Sequence, residues 1–260
     1  MNARRIRAFL VLAAPLLAAA FAFANDHARS ATKPVVKPAV KDQPMPFSAG
    51  EVLNYRISWA AFTNAASVQL SVPERRSLFN WQTWHFRAIA HTLSPVSSLA
   101  PVDDQFDSYT DVASLESRQF ESHLHELGKT SDQVQHLVPT GQQSKAPAPA
   151  VIVQPGTRDA LGQLYTLRGV QWDRVPELRI PVYDGRDVYE MRARRDADAQ
   201  PVTVPAGAFM ASRISIGVFQ HDKEISAIHI AVWLANDPAR TPVVIQATLP
   251  FGTLRGELTK

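Results

Sequence analysis

The 260-residue chain has no cysteine, which excludes a disulfide framework, a thiolate metal site and a cysteine for lipid attachment. A bilayer-spanning run is missing too. The apolar stretch from Phe9 to Phe21 belongs to about 16 apolar residues interrupted by Pro15, against the roughly 20 that a transmembrane helix needs. Placed between Arg4, Arg5 and Arg7 and the small-residue end Ala22-Phe23-Ala24, it has the build of an export leader, with cleavage expected after Ala24 and no transmembrane anchor in the mature chain. An excess of charge is also lacking. Three of the 27 Lys and Arg lie in the leader, leaving 24 against 24 Asp and Glu. With no basic stripe interleaved with aromatics, no nucleic-acid partner is expected. An exported chain without thiols suits the bacterial periplasm, where a free cysteine would be oxidised. With 45% hydrophobic and 20% charged residues, it has the composition of a folded domain.

Complete catalytic signatures are absent as well. Gly128-Lys129-Thr130 resembles the end of a phosphate-binding loop, but His123 stands where the first glycine belongs. His125-Glu126 begins like a zinc-protease helix, but Lys129 replaces the second histidine, and no Gly-x-Ser-x-Gly elbow occurs.

What the chain does have is period-two alternation. Leu53, Tyr55, Ile57 and Trp59 alternate with polar residues, as do Ala66 to Val72 and Trp84 to Ala90, and these three segments predict an antiparallel meander with one buried face. Phe120–Leu127 and Gln133–Val138 predict a hairpin around Gly128, and Leu178–Val182 and Val188–Ala193 predict another around Asp184-Gly185. Ile214–Val218, Ile228–Leu234, Val243–Leu249 and a segment ending near Leu258 follow. Asp159 to Arg168 alone reads as helix, with Asp159 as N-cap. The expected fold is mainly β: a single antiparallel curled sheet or half-barrel of about ten to twelve strands with one or two short helices. Residues 25–46, rich in Pro, Ala and Lys, read as a disordered linker before a β-rich domain over 47–260, and 139–149 as an internal flexible loop.

Candidate functional residues are few. Asp103, Asp104, Asp107 and Asp111 form an acidic cluster suited to acid/base work or to capping turns. Tyr165 and Arg168 stand one helical turn apart and could face a polar ligand together, although Arg168 could equally pair with Asp159 or Asp173. His123 and His125 project to one strand face with Glu121, a pattern read here as a solvated face, so no metal and no cofactor is expected. Trp233 shares a strand face with His229 and is a candidate contact for a ligand.

Several of these pieces together resemble a known family. Phe47-Ser48-Ala49-Gly50-Glu51-Val52-Leu53-Asn54-Tyr55, the acidic stretch from Asp104 to Asp111, Leu164-Tyr165-Thr166-Leu167-Arg168, Val204-Pro205-Ala206-Gly207-Ala208-Phe209 and Val232-Trp233-Leu234-Ala235-Asn236-Asp237 are similar in order and spacing to the DUF3108 family of exported bacterial proteins. The resemblance implies a periplasmic β-rich domain of unassigned activity. The leading expectation is non-enzymatic binding of a lipid or other amphipathic envelope ligand, with Asp103, Asp107, Tyr165, Arg168 and Trp233 at the site. The alternative is an accessory protein or enzyme acting on envelope or extracellular polysaccharide.

Overall fold

The structure, a computed structural model, describes residues 45–142, 147, 150–196 and 198–260. The leader, nearly all of the linker over 25–46 and most of the 143–149 stretch lie outside the described residues. The first half runs β1 (Val52–Trp59), β2 (Phe62–Leu78), β3 (Trp81–Thr92), α1 (Val96–Leu99), β4 (Asp103–Asp111), β5 (Ser117–Glu126), β6 (Lys129–Pro139) and β7 (Ala150–Val153). The second runs β8 (Arg158–Asp159), α2 (Ala160–Gly169), β9 (Leu178–Tyr183), β10 (Val188–Arg195), β11 (Gln200–Val204), β12 (Gly207–Gln220), β13 (Lys223–Glu224), β14 (His229–Ala235), β15 (Pro242–Leu249) and β16 (Gly252–Leu258).

All 16 strands join one sheet in the order β7-β6-β5-β4-β3-β2-β1-β16-β15-β14-β12-β10-β9-β8, with β11 and β13 paired to β12. Two points of the sequence reading are corrected. The strand count exceeds ten to twelve because β7, β8, β11 and β13, of two to five residues each, are too short to show alternation. The sheet is mixed, because β6 and β7 run parallel, as do β8 and β9. Between the alternating segments that end at Val72 and begin at Trp84, β2 continues as strand down to Leu78. The turn itself is only Phe79 and Asn80, whose positive φ values of 47° and 70° are those of a two-residue hairpin loop.

The sheet is open, since its path ends at β7 on one side and β8 on the other. Only Gln154 to Thr157 separates these two edge strands in sequence, so the sheet must curl until its edges nearly meet. The seam is tied by hydrogen bonds from Ser117 N to Thr157 O at 3.0 Å, from Arg158 Nη2 to Ser114 O at 2.5 Å and from Gln135 Nε2 to Gly185 O at 2.7 Å.

Helix α2 fills the inside of the curl. Its contacts fall on β3 and β4 of one half and on β8 and β9 of the other. Ala160, Leu161, Leu164, Tyr165 and Leu167 are all buried, so apolar residues cover the helix all round, as in a helix surrounded by protein. As expected, Asp159 caps it, accepting from Gly162 N at 2.9 Å, while its other oxygen accepts from Ser108 Oγ at 2.5 Å. Tyr165 stacks on Phe86 with ring centroids 3.8 Å apart, and Phe47 packs edge-on against both rings. The space between Gln163 and the strands that carry Val182, Met191 and Ile216 is ≈ 10 Å³, about one water.

Candidate functional site

The core-facing alternation leaves every second residue of each strand on the outer face of the sheet, and the outer face is polar. Across β3, β4, β5 and β6, one row reads Arg87, Asp107, Glu121 and Val134, and the next reads Ile89, Gln105, His123 and Asp132. A third holds His85, Tyr109, Gln119 and His136. Asp107 is 1% exposed even though it is on this face, because its neighbours cover it. Its Oδ1 accepts from His85 Nε2 at 2.5 Å and from Arg87 Nε at 2.7 Å, and its Oδ2 accepts from Gln105 Nε2 at 2.6 Å. Burial pushes this carboxyl up, but the hydrogen bonds from His85, Gln105 and Arg87 outweigh it and hold Asp107 below the ordinary carboxylate range. Asp107, Glu121 and His123 bring ligand atoms within 4.8 Å of one another. The carboxylate of Asp132 accepts a hydrogen bond from His123 Nδ1 at 2.8 Å, and it raises this imidazole's pKa with help from Glu121.

A second outer-face feature lies on β10, β12 and β14. A groove of ≈ 380 Å³ is lined by Arg192, Arg194, Arg213, Phe219 and His229, with the carboxylates of Glu177 and Glu224 also in its lining. The Arg192 guanidinium lies 3.9 Å over the Phe219 ring and pairs with Glu190 and with Asp222 at 2.9 Å. Arg213 bonds Asp196 at 2.5 Å. Arg194 is exposed and makes no ion pair among the described residues. Beside the groove, half-buried Trp233 lies opposite Arg213 in the ladder, with the Arg213 and Arg255 guanidinium carbons 5.3 and 5.6 Å from its ring centre.

The residues singled out from sequence do not come together in one place. Asp103 is exposed on the outer face and pairs with His91 at 2.8 Å, and Asp107 lies four residues further along the same strand. Trp233 is on the opposite half of the sheet. Tyr165 and Arg168 point into the core, 1% and 0% exposed. The partner of Arg168 is neither Asp159 nor Asp173 but Glu51, held through two bonds of 2.6 and 2.8 Å, with Ala239 O and Pro46 O as further acceptors. Of the proposed histidine pair, only His123 enters the three-ligand cluster, and Asp107 from the next strand replaces His125. Arg192, Arg194, Arg213, His85 and Arg87 went unnoticed. Alternation alone puts Arg192 with Arg194 and Arg213 with Ser215 on outer faces, but only the pairing of β10 with β12 makes them neighbours.

These features define a barrel-like open sheet filled by a helix, polar on its outside. Residues 54–259 match the family described as "Protein of unknown function (DUF3108)", and the chain belongs to that family. No curated protein matches this sequence. Among solved structures, it is similar to a β-barrel-like protein of domain of unknown function DUF1849 from Brucella abortus, at 12% identity and a TM-score of 0.52, covering 80% of this chain and 95% of that one. At that identity the likeness concerns the fold. A protein described as a lipoprotein from Parabacteroides distasonis aligns at 12% identity and a TM-score of 0.38, over 83% of this chain and 96% of that one. One described as exported, with a YmcC-like fold, from Bacteroides fragilis aligns at 10% and 0.37, over 83% and 97%. No helix among the described residues is long and apolar enough to cross a membrane.

Proposed function

We propose that this is an exported periplasmic protein that binds, without catalysis, an envelope-associated ligand carrying an anionic head, and that the arginine groove on the outer face is the binding site. The leader-like residues 1–24 support export. The observation that carries the binding reading is the groove itself. It sets three guanidinium groups, one without an ionic partner among the described residues, beside the Phe219 ring and next to Trp233. Guanidinium forks recognise phosphate and carboxylate in paired hydrogen bonds, and aromatic faces take the apolar side of a sugar or an acyl glycerol. The interior, where a lipid carrier would hold its cargo, is taken up by α2 and its aromatic contacts. The reading as a polysaccharide-cleaving enzyme has less support. Such an enzyme needs a protonated carboxyl and an ionised one converging on the same cleft, whereas the ionised Asp107 and the carboxyl of Asp104, whose pKa burial raises, project to opposite faces of β4.

A phosphate-bearing lipid head and an acidic polysaccharide share this chemistry. The test is sedimentation with phosphatidylglycerol vesicles, with phosphatidylcholine vesicles as control, alongside a titration with a polyuronate. Binding to one of the two anionic probes, weakened about tenfold or more in an Arg194→Ala/Arg213→Ala variant, is the expected result. Binding to neither, or equal binding by wild type and variant, would overturn the assignment.

A further inference from the structure

Asp107 and Glu121 face each other directly across β4 and β5, a like-charge pairing that the Arg87 guanidinium offsets on the Asp107 side only. The donors already present do not use up their capacity. An ionised carboxylate offers about four lone-pair sites. Asp107 spends three of them on His85, Arg87 and Gln105, which leaves one on Oδ2. Glu121 accepts from Gln119 on Oε1, and its Oε2 faces His123 Nε2 at 3.6 Å. Because the Asp132 carboxylate can only accept, it fixes the proton of a neutral His123 on Nδ1 and leaves the lone pair of Nε2 directed at Glu121. A carboxylate that fixes a histidine tautomer in this way is the usual outer-shell partner of a metal-bound imidazole.

From this geometry we infer that Asp107, Glu121 and His123 form a binding site for a divalent transition cation of the zinc type. One imidazole nitrogen and two carboxylate oxygens, all within 4.8 Å of one another, are a borderline donor set that suits zinc and its neighbours better than calcium or magnesium, which prefer an all-oxygen shell. Ligand distances of about 2.0 to 2.2 Å require the donor atoms to draw together by about 1 Å, which the half-buried Glu121 and His123 side chains can supply by rotation. The outer shell is already in place: Asp132 behind His123, Gln119 behind Glu121, and His85, Arg87 and Gln105 behind Asp107. Glu121 and His123 are only half-buried, so an ion would keep at least one position open to water. This site lies on β4 and β5, away from the arginine groove of β10 to β14, and does not depend on the function proposed for that groove.

Isothermal titration of zinc into the tag-free chain tests the assignment. The expected result is one zinc per chain that is not displaced by an excess of magnesium. Affinity should drop at least about tenfold in His123→Gln and in Glu121→Gln, and roughly tenfold in Asp132→Asn. His221→Gln, in a turn outside the cluster, should bind as wild type does. Circular dichroism of each variant separates loss of the site from loss of the fold, and Asp132→Asn leaves all three ligands in place should the other variants fail to fold. The inference is wrong if zinc does not bind with a dissociation constant below about 100 µM, or if binding survives unchanged in both folded ligand variants.

Discussion

Arg168 has no side-chain exposure, yet its guanidinium meets Glu51 at two oxygens and the carbonyls of Ala239 and Pro46 besides. One side chain thus joins the end of α2 to the chain before β1 and to the turn between β14 and β15. Removing one partner strands a buried charge, so Glu51→Gln should cost about 3 to 5 kcal/mol, read as a lower urea midpoint at unchanged slope. Trp233 should behave in the opposite way. Because it is half-buried on the outer face between Arg213 and Arg255, Trp233→Ala should cost roughly 1 to 2 kcal/mol of stability and yet weaken binding of the anionic probe. A thermal melt paired with the vesicle and polyuronate titrations checks both. A stability loss as large as that of Glu51→Gln would make Trp233 a core residue.

At the scale of elements, α2 can approach the sheet only because residue 162 is glycine. A Cβ there would stand 2.9 Å from Thr110 Cγ2 and 3.1 Å from Ser117 Oγ, on β4 and at the start of β5. Despite the better helix propensity of alanine, Gly162→Ala should therefore destabilise the protein by about 1 to 3 kcal/mol in denaturant titration, and a gain in stability would mean that the helix sits further from β4. The other ends of β4 and β5 hold a different device. Asp104 is buried near the start of β4, where its Oδ1 accepts from His125 N, and its neighbour is Glu126. Burial raises Asp104 to about 6, Asp103 adding to the rise and His125 opposing it. Burial together with the charge of Asp104 raises Glu126 to about 7. Folded-state values above the unfolded ones mean that this pair favours folding most below about pH 4, and that its contribution is lost as pH rises towards 7. Between pH 5 and pH 8, wild type should lose more stability than an Asp104→Asn/Glu126→Gln variant, in which this titration is gone. Equal losses in matched denaturant titrations would show that the carboxyls do not titrate in this range.

For the molecule as a whole, the sheet's two halves share one helix and one seam. The stretch over 139–149, read from sequence as an internal loop of one β-rich domain, starts at the last residue of β6 and leads to β7, which pairs with β6 in parallel. Because α2 touches strands of both halves and the seam is bonded across β5, β6, β8 and the β9–β10 turn, the halves should unfold together. Far-ultraviolet circular dichroism and tryptophan fluorescence should then give coincident transitions, and two separate midpoints would count against a single cooperative unit.

Much of this was legible in the residues themselves. The alternation of Tyr55 and Ile57, of Ala66 to Val72, and of Ile214 to Val218 is a local consequence of the two-residue repeat of a strand with one buried face, and it places these elements correctly. The Asp159 cap and the turns at Gly128 and Asp184-Gly185 are equally local, since each depends on a few adjacent backbone groups. Strands of two to five residues, the parallel pairs and the open seam could not be read in this way, because they follow from which segments become neighbours. The same limit governed the sites. Tyr165 and Arg168 carry side chains that suit a ligand, and nothing within their own helix shows that the sheet wraps around it and that Glu51, 117 residues away, takes up the guanidinium. The sequence by itself determined a β-rich chain with a polar outer face and one capped helix. The tertiary structure decided that this helix is the core, and that the clusters able to bind something form where separate strands set arginines, or carboxylates and a histidine, side by side.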